Sequence, residues 1–537
     1  MGKGQEVPVM AAYTRKIQSI CPVCKKTIDG KIYERDGKIF LKKECREHGT
    51  FDDFIHGQAE RYRWNQRFLK DGTKVREGVS GRKTGCPHDC GLCEDHINTP
   101  AIALIELTNR CNLRCPICFA NANARDYVVE PPYEDIVEVM KHFRSLKPSP
   151  PITVQFTGGE PTLRQDLPQI IRKSVDLGFQ HIMLTTNGLK MAESIDYCRD
   201  LVEAGTNAVY LQFDGLDPET WVKTRAMNLL PQKLKVIENW RTVNREFMRK
   251  HGKPGAGVAL VPTIAKGINV HEIAKIIDFA VKNIDVVVAI VFQPISLCGR
   301  YDEKKLLDMR FTSSELQDII DQHTQGVLHP WYPISSISEF AKLIDWFDET
   351  ETVEFSCHPD CGFATWLIVN EKTGAFEGIN HCVDLDGALA FSKGMWSQIV
   401  ADGKQSDAHY LYRKGKKMRY LLGLRKYRLR KGRAARLLTR LILKPSYGTV
   451  EAFMFGPSVM IGCMHFQDPN NMDTERVRRC LVQYGYRNPK DGTMKLVPFC
   501  TMNSLHRERV EAEMAQPGTR EAEADPPQAH QGGPSSG

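Results

Sequence analysis

The sequence predicts an α/β protein: a partial six-unit barrel with a small metal-held β unit before it and a cysteine-rich region after it. Three observations carry this. Between residues 101 and 300, apolar β-branched runs alternate with stretches of helical periodicity. The 17 cysteines fall mostly into groups at metal-ligand spacing. The length, 537 residues, leaves room for three or four folding units.

Composition sets the class. Hydrophobic content of 42% and charged content of 26% describe an ordinary soluble globular chain. No apolar stretch of about 18 residues exists, so no spanning helix is expected. The first 13 residues carry no charged-then-apolar signal, so a cytoplasmic location is expected. Cytosolic thiols stay reduced, which makes metal a better use of the cysteines than disulfides.

Residues 1–60 read as the small β unit. Cys21-Pro-Val-Cys24 and Cys45-Arg-Glu-His48 bracket strand-like text and supply a tetrahedral ligand set. Zinc and a single iron both suit sulfur-rich tetrahedral geometry, and the spacing does not choose between them. So short a unit has little core, so the metal supplies much of its folding energy. Residues 61–100 are a linker ending in Cys86, Cys90 and Cys93, an auxiliary metal loop among glycines.

The barrel spans residues 101–300. Strands are expected at 102–107, 152–156, 181–185, 208–213, 257–261 and 286–292, with helices at 133–146, 167–177, 192–204, 231–250 and 270–281. Such alternation implies a parallel sheet covered on both faces, with ligands at the carboxyl ends of the strands. Those ends are chemically consistent. After the first strand come Cys111, Cys115 and Cys118; after the second, Gly158-Gly159-Glu160; after the third, Thr186-Asn187. The fourth ends in Gln212 and Asp214, the fifth in Val261 and Thr263. The two glycines are expected to free backbone groups for close approach by a ligand. The C-x3-C-x2-C spacing occurs twice, so context decides: the group launched from a strand is assigned to chemistry.

Residues 301–506 hold the remaining ligand candidates, Cys357, Cys361, Cys382, Cys463, Cys480 and Cys500. Setting aside Cys198 and Cys298 as buried small hydrophobes leaves 12 thiols beyond the catalytic three. Twelve suit one mononuclear site and two auxiliary [4Fe–4S] clusters; the last three cysteines are not assigned to individual sites. Within this region, residues 413–444 carry 14 Lys or Arg and no acid. With the apolar residues among them they form a basic amphipathic segment, 410–444. It reads as a solvated face, a membrane surface or, less well, a nucleic-acid grip. Residues 507–537 are expected to be a disordered tail.

The Cys111, Cys115, Cys118 motif with Gly158, Gly159 and Glu160 resembles the radical S-adenosylmethionine superfamily. That resemblance implies a [4Fe–4S] cluster on the three catalytic cysteines, the methionine part of S-adenosylmethionine on the open iron, and its amino group near Glu160. It implies ribose and adenine near Asn187 and Asp214, with Thr186, Gln212, Val261 and Thr263 completing the pocket and Phe119 partly covering the adenine. Where the family often has an aromatic residue before the third cysteine, this chain has Ile117. The implied reaction is hydrogen abstraction by a 5′-deoxyadenosyl radical.

Over most of its length the chain also resembles the archaeal tetraether lipid synthases, through its Cys-x2-Cys…Cys-x2-His unit, the loop CPHDCGLC, the motif ELTNRCNLRCPICFA and the closing CMHFQDPNNMD. This implies sp3–sp3 carbon–carbon joining of two phytanyl chains of an archaeal ether phospholipid, with two adenosyl radicals per bond. It further implies peripheral membrane contact and a low-potential donor such as ferredoxin; nucleic acid is not expected as a partner. The alternative is a radical enzyme that uses its auxiliary clusters to modify a peptide or RNA.

Overall fold

The computed structural model describes residues 13–301, 308–370, 372–406, 408–427 and 456–515. The N-terminal unit is a four-stranded antiparallel sheet, β1 (Thr14–Ile20), β2 (Thr27–Arg35), β3 (Lys38–Cys45) and β4 (Gly49–His56), paired in chain order. Asp36 and Gly37, both at positive φ, make the two-residue turn between β2 and β3, the Asp-Gly signature of a tight hairpin. Its core is Ile17, Ile32, Ile39 and Leu41 against Tyr62 of the helix Ala59–Gln66.

This sheet is built into the rest of the molecule. The Ser19 hydroxyl donates to the Met472 carbonyl at 2.6 Å, and buried Lys43 donates to the Pro469 carbonyl at 2.8 Å. Arg15 pairs with Asp473 at 2.6 Å, while Arg310 lies between Asp468 at 3.2 Å and Asp53 at 3.8 Å. Buried charges set this way fix one docking geometry rather than add much stability.

The central sheet carries the six expected parallel strands: β5 (Ile102–Thr108), β6 (Thr153–Gly158), β7 (His181–Thr186), β8 (Ala208–Gln212), β9 (Gly257–Val261) and, after the short β10 (Thr263–Ile264), β11 (Val287–Pro294). They form an open, partial barrel, because β5 and β11 pair with other strands instead of each other. On the far side of β11 lies β14 (Ser458–Met464), then β12 (Gly362–Val369) and β13 (Phe376–Gly378); beyond β5 lie β15 (Val482–Arg487) and β16 (Met494–Pro498). The C-terminal region therefore extends the barrel sheet at both edges.

Differences from the expected elements have local causes. The helix expected at 192–204 breaks at Ser194, whose side chain caps the helix Ile195–Ala204 by accepting from the Tyr197 N–H at 3.1 Å. The tail expectation fails for its first residues. Arg507–Met514 is helical, and Arg507 is buried because its guanidinium pairs with Glu106 on β5 at 2.8 Å and with Glu511 at 3.0 Å. The later tail, like residues 428–444 of the basic segment, lies outside the described residues. Of that segment, Tyr410–Leu424 is a helix that buries Tyr420 and Leu424 against Leu343, Phe347 and Met395. Its Arg413 and Lys416 pair with Glu349 and Asp402 at 3.0 Å each. Tyr410, Leu411, Met418 and Leu422 remain exposed. Among the described residues no helix is long and apolar enough to cross a membrane.

Candidate functional site

The loop leaving β5 brings Cys111, Cys115 and Cys118 together, and burial pushes the Cys111 and Cys115 thiols upward, each next to another thiol of the triad. Buried, mutually close thiols are poor sites for bare thiolates and good ones for metal. Asn123, at positive φ, staples the loop: it accepts from the Cys111 N–H at 3.2 Å and donates to the carbonyls of Cys111 and Leu113 at 2.6 and 3.2 Å. Arg300 closes it from the other side, exchanging backbone hydrogen bonds with Cys118 at 2.8 and 2.9 Å and donating through Nη1 to the Cys115 carbonyl at 3.0 Å. Gly299 before it has φ +72°, and a Cβ there would lie 2.3 Å from the Cys118 carbonyl oxygen.

The glycine turn after β6 works differently from expectation. What comes close to Gly158 and Gly159 is the backbone of Thr108–Arg110, just ahead of Cys111. A Cβ on either glycine would sit 2.2 Å from the Thr108 or Arg110 oxygen. The Gly159 and Glu160 N–H groups donate to those same carbonyls at 2.7 and 2.8 Å. Glu160 itself is buried and held by four donors. Oε1 accepts from the Thr162 N–H and hydroxyl and the Thr186 hydroxyl at 3.1, 2.6 and 2.7 Å; Oε2 accepts from the Asn187 N–H at 2.7 Å. With these four donors drawn from both sides, Glu160 ties the end of β6 to the end of β7. Asn187 in turn donates to Asn112 in the cysteine loop at 2.7 Å.

At the end of β8, Asp214 has no exposure and holds Arg225 by two bonds, 2.5 and 3.0 Å, while accepting from the Thr263 N–H at 3.1 Å. With its amide oxygen turned to Arg225, Gln212 accepts from Nε and Nη1 at 3.0 Å each. The Val261 carbonyl accepts from the Phe213 N–H at 3.2 Å. Asp214 therefore faces a cation, with three donors on its carboxylate. Phe119 packs against Phe499, ring centroids 5.5 Å apart and planes tilted by 52°, and Ile117 packs into an apolar cluster of Ala265, Ile295, Leu297 and Met309. Arg225, Asn112, Asn123 and Arg300 were missed in the sequence. Only the first had a signal: Asp217-Pro218 is an N-cap and first-turn proline for the helix Pro218–Arg225.

The other cysteines separate into three sets. Cys21, Cys24, Cys45 and His48 place their ligand atoms within 4.8 Å of one another. Cys24 and Cys45 sulfurs are 3.9 Å apart, and His48 Nδ1 lies 3.5 and 3.7 Å from Cys45 and Cys21. A tetrahedron built on zinc–ligand bonds has edges of about 3.5–3.8 Å, so the set fits. Cys86, Cys90 and Cys93 form a second set, with Cys90 Sγ 3.2 Å from the Thr501 hydroxyl. Cys357, Cys361, Cys480 and Cys500 form a third, Cys357 buried and the other three half-buried, acting on one another around Arg476. Cys463 lies beside the same Arg476 as the third set. Cys382 packs with Ile379 and Val383, and Cys463 is a core residue of β14 opposite Phe363. Cys198 is buried with its thiol toward the Met191 carbonyl; Cys298 contacts the Ser296 hydroxyl and lies near Cys500.

Comparison with known proteins follows this geometry. The radical SAM superfamily description matches residues 105–280, and the HMPTM N-terminal zinc ribbon domain matches residues 13–57. A 7,8-dihydro-6-hydroxymethylpterin dimethyltransferase of Methanocaldococcus jannaschii is 39% identical over 508 residues, 94% of this chain and 96% of that protein. A GTP 3′,8-cyclase of Desulforamulus reducens is 30% identical over 203 residues, 36% of this chain and 56% of that protein. Among solved structures, Streptococcus suis SuiB bound to S-adenosylmethionine aligns over 43% of this chain and 49% of its own, at 17% identity and a TM-score of 0.34. The expectation of a lipid synthase is corrected here: the relative that spans the chain is named a pterin dimethyltransferase, and nothing in these likenesses supports lipid carbon–carbon joining. With its radical SAM region, its zinc ribbon and a relative matching end to end, the chain belongs to the radical SAM superfamily, in the family of that M. jannaschii dimethyltransferase.

Proposed function

We propose that the chain is a radical S-adenosylmethionine methyltransferase acting on a reduced pterin. One observation carries the reading: 39% identity to the M. jannaschii dimethyltransferase runs through ribbon, barrel and C-terminal region alike, over 96% of that protein. Cys111, Cys115 and Cys118 would hold the [4Fe–4S] cluster that binds S-adenosylmethionine, a three-thiol set fitting a cluster with one open iron. When bound, cluster and S-adenosylmethionine supply one-electron chemistry that no side chain offers.

The chain's own residues prepare that site. Asn123 and Arg300 fix the cysteine loop, and Glu160 with Asn187 fixes the rim at β6 and β7 to it. Ile117 and its apolar neighbours exclude water beside the third cysteine. Cys357, Cys361, Cys480 and Cys500 have the number of thiols that an auxiliary [4Fe–4S] cluster takes, and their mutual proximity supports it. Cys86, Cys90 and Cys93 are candidates for a further one, and Cys21, Cys24, Cys45 and His48 for the ribbon metal. The test of the substrate assignment is binding: 7,8-dihydro-6-hydroxymethylpterin, titrated anaerobically into the reconstituted chain with S-adenosylmethionine, is expected to bind saturably. Saturable binding of GTP with none of the pterin would overturn the assignment.

A further inference from the structure

Arg225 ends its helix 7% exposed, at the root of the cysteine loop. Nε and Nη2 take both oxygens of Asp214, Nη2 also reaches the Thr263 hydroxyl at 3.3 Å, and Nη1 donates to the Ile117 carbonyl at 3.3 Å, between the second and third cysteines. The same guanidinium lies close enough to the Cys115 thiol to act on it electrostatically. Asp214 is locked as firmly, its carbonyl accepting from Asn269 at 3.0 Å and its carboxylate from the Thr263 N–H. Burying a charged pair is costly, and apolar side chains would hold the loop as well. What they would not supply is a fixed charge against a metal-ligating sulfur. Hydrogen bonds to ligand sulfurs and local charge are the protein's means of setting cluster potentials.

We propose that the Asp214–Arg225 pair sets the reduction potential of the cluster on Cys111, Cys115 and Cys118, Arg225 favouring the reduced form and Asp214 opposing it. The proposal rests on the reading that this loop holds the cluster. Reduction adds one electron from an external low-potential donor and one negative charge to the cluster, with no bond made or broken. Arg225 stabilises that added charge through Cys115 and Ile117; Asp214 attenuates the cation so that the reduced cluster remains a strong donor.

The test is a potentiometric titration of the full chain, reconstituted anaerobically and free of S-adenosylmethionine, followed by electron paramagnetic resonance. The relevant cluster is the one whose signal changes when S-adenosylmethionine is added afterwards. Absence of any responsive signal in the unaltered chain refutes the cluster reading, separately from the tuning. Arg225→Met is expected to lower the midpoint and Asp214→Asn to raise it, each by a change of about tenfold in the reduced-to-oxidised ratio at fixed potential, about 59 mV. Arg225→Lys keeps the charge and is expected to fall between Arg225→Met and the unaltered chain. Asp214→Asn carries the test if Arg225→Met loses iron. An unchanged or lowered midpoint in Asp214→Asn overturns the proposal, as does loss of the cluster from every variant, which makes the pair structural.

Discussion

Replacing Glu160 by Gln removes one acceptor oxygen and puts a donor in its place. In either orientation the new amide NH2 faces a backbone N–H, that of Asn187 on one side or of Thr162 on the other. The two threonine hydroxyls can turn to become acceptors; a backbone N–H cannot. One charge-assisted bond is lost and one buried donor is orphaned, a cost of about 2–4 kcal/mol. Glu160→Ala orphans both N–H groups and leaves a void, about 3–5 kcal/mol. In a chain of several units a global unfolding energy is ill defined, so local opening is the right readout. Amide hydrogen exchange of peptides covering residues 153–164 and 181–191 is expected to speed up by about 30- to 1000-fold in Glu160→Gln. Affinity for S-adenosylmethionine should fall with it. A variant whose affinity falls tenfold or more while exchange is unchanged would show that the carboxylate grips the cofactor, and would refute its role as the tie between β6 and β7.

Gly159→Ala forces a Cβ against the Arg110 carbonyl and should cost about 1–3 kcal/mol; expected is reduced iron at the S-adenosylmethionine-responsive cluster, by iron assay and spin quantification. His48→Ala removes one of four ribbon ligands. Because metal supplies on the order of 10 kcal/mol to such units, the bound ribbon metal should fall by one equivalent and limited proteolysis should cut within residues 13–57. Lys233, fully buried, donates to the Asn187 carbonyl, and burial pulls its amine down to about 7 against the opposing pull of Asp214. Between about pH 7 and the ordinary 10.5 the unfolded chain binds a proton that the folded one does not, so stability rises with pH, by at most about 1.4 kcal/mol per unit. Lys233→Met should flatten that rise in the local opening free energy of peptides covering residues 230–251, from amide exchange corrected for its intrinsic pH dependence, between pH 7 and 9; an identical slope would contradict it.

The barrel strands were legible because β-branched runs bounded by glycine and polar turns have few other uses; β9 lies where the periodicity puts it and its neighbours are shifted by one or two residues. The cysteine triad and the glycine turn were legible as motifs. The identity of their partners was not. Gly158 and Gly159 are small because a neighbouring backbone crosses them, which a sequence does not distinguish from room for a ligand. Asp214 read as a free polar strand end because its cation, Arg225, is on a short helix that the reading passed over. Grouping the late cysteines needed contacts more than a hundred residues apart: Cys480 and Cys500 join Cys357 and Cys361, while pairing of β14 with β12 sends Cys463 into the core. The ribbon was legible as a metal unit from four residues, and its docking on Met472 and Asp473 was not.

The most direct measurement of the proposed activity is the mass of the pterin after turnover. Reconstituted chain, reductant and S-adenosylmethionine, incubated anaerobically with 7,8-dihydro-6-hydroxymethylpterin and a cell extract to supply any further methyl donor, should give species heavier by one and by two methyl substitutions, and none when Cys111, Cys115 and Cys118 are replaced by Ala. Cleavage of S-adenosylmethionine with the pterin mass unchanged would contradict a pterin methyltransferase.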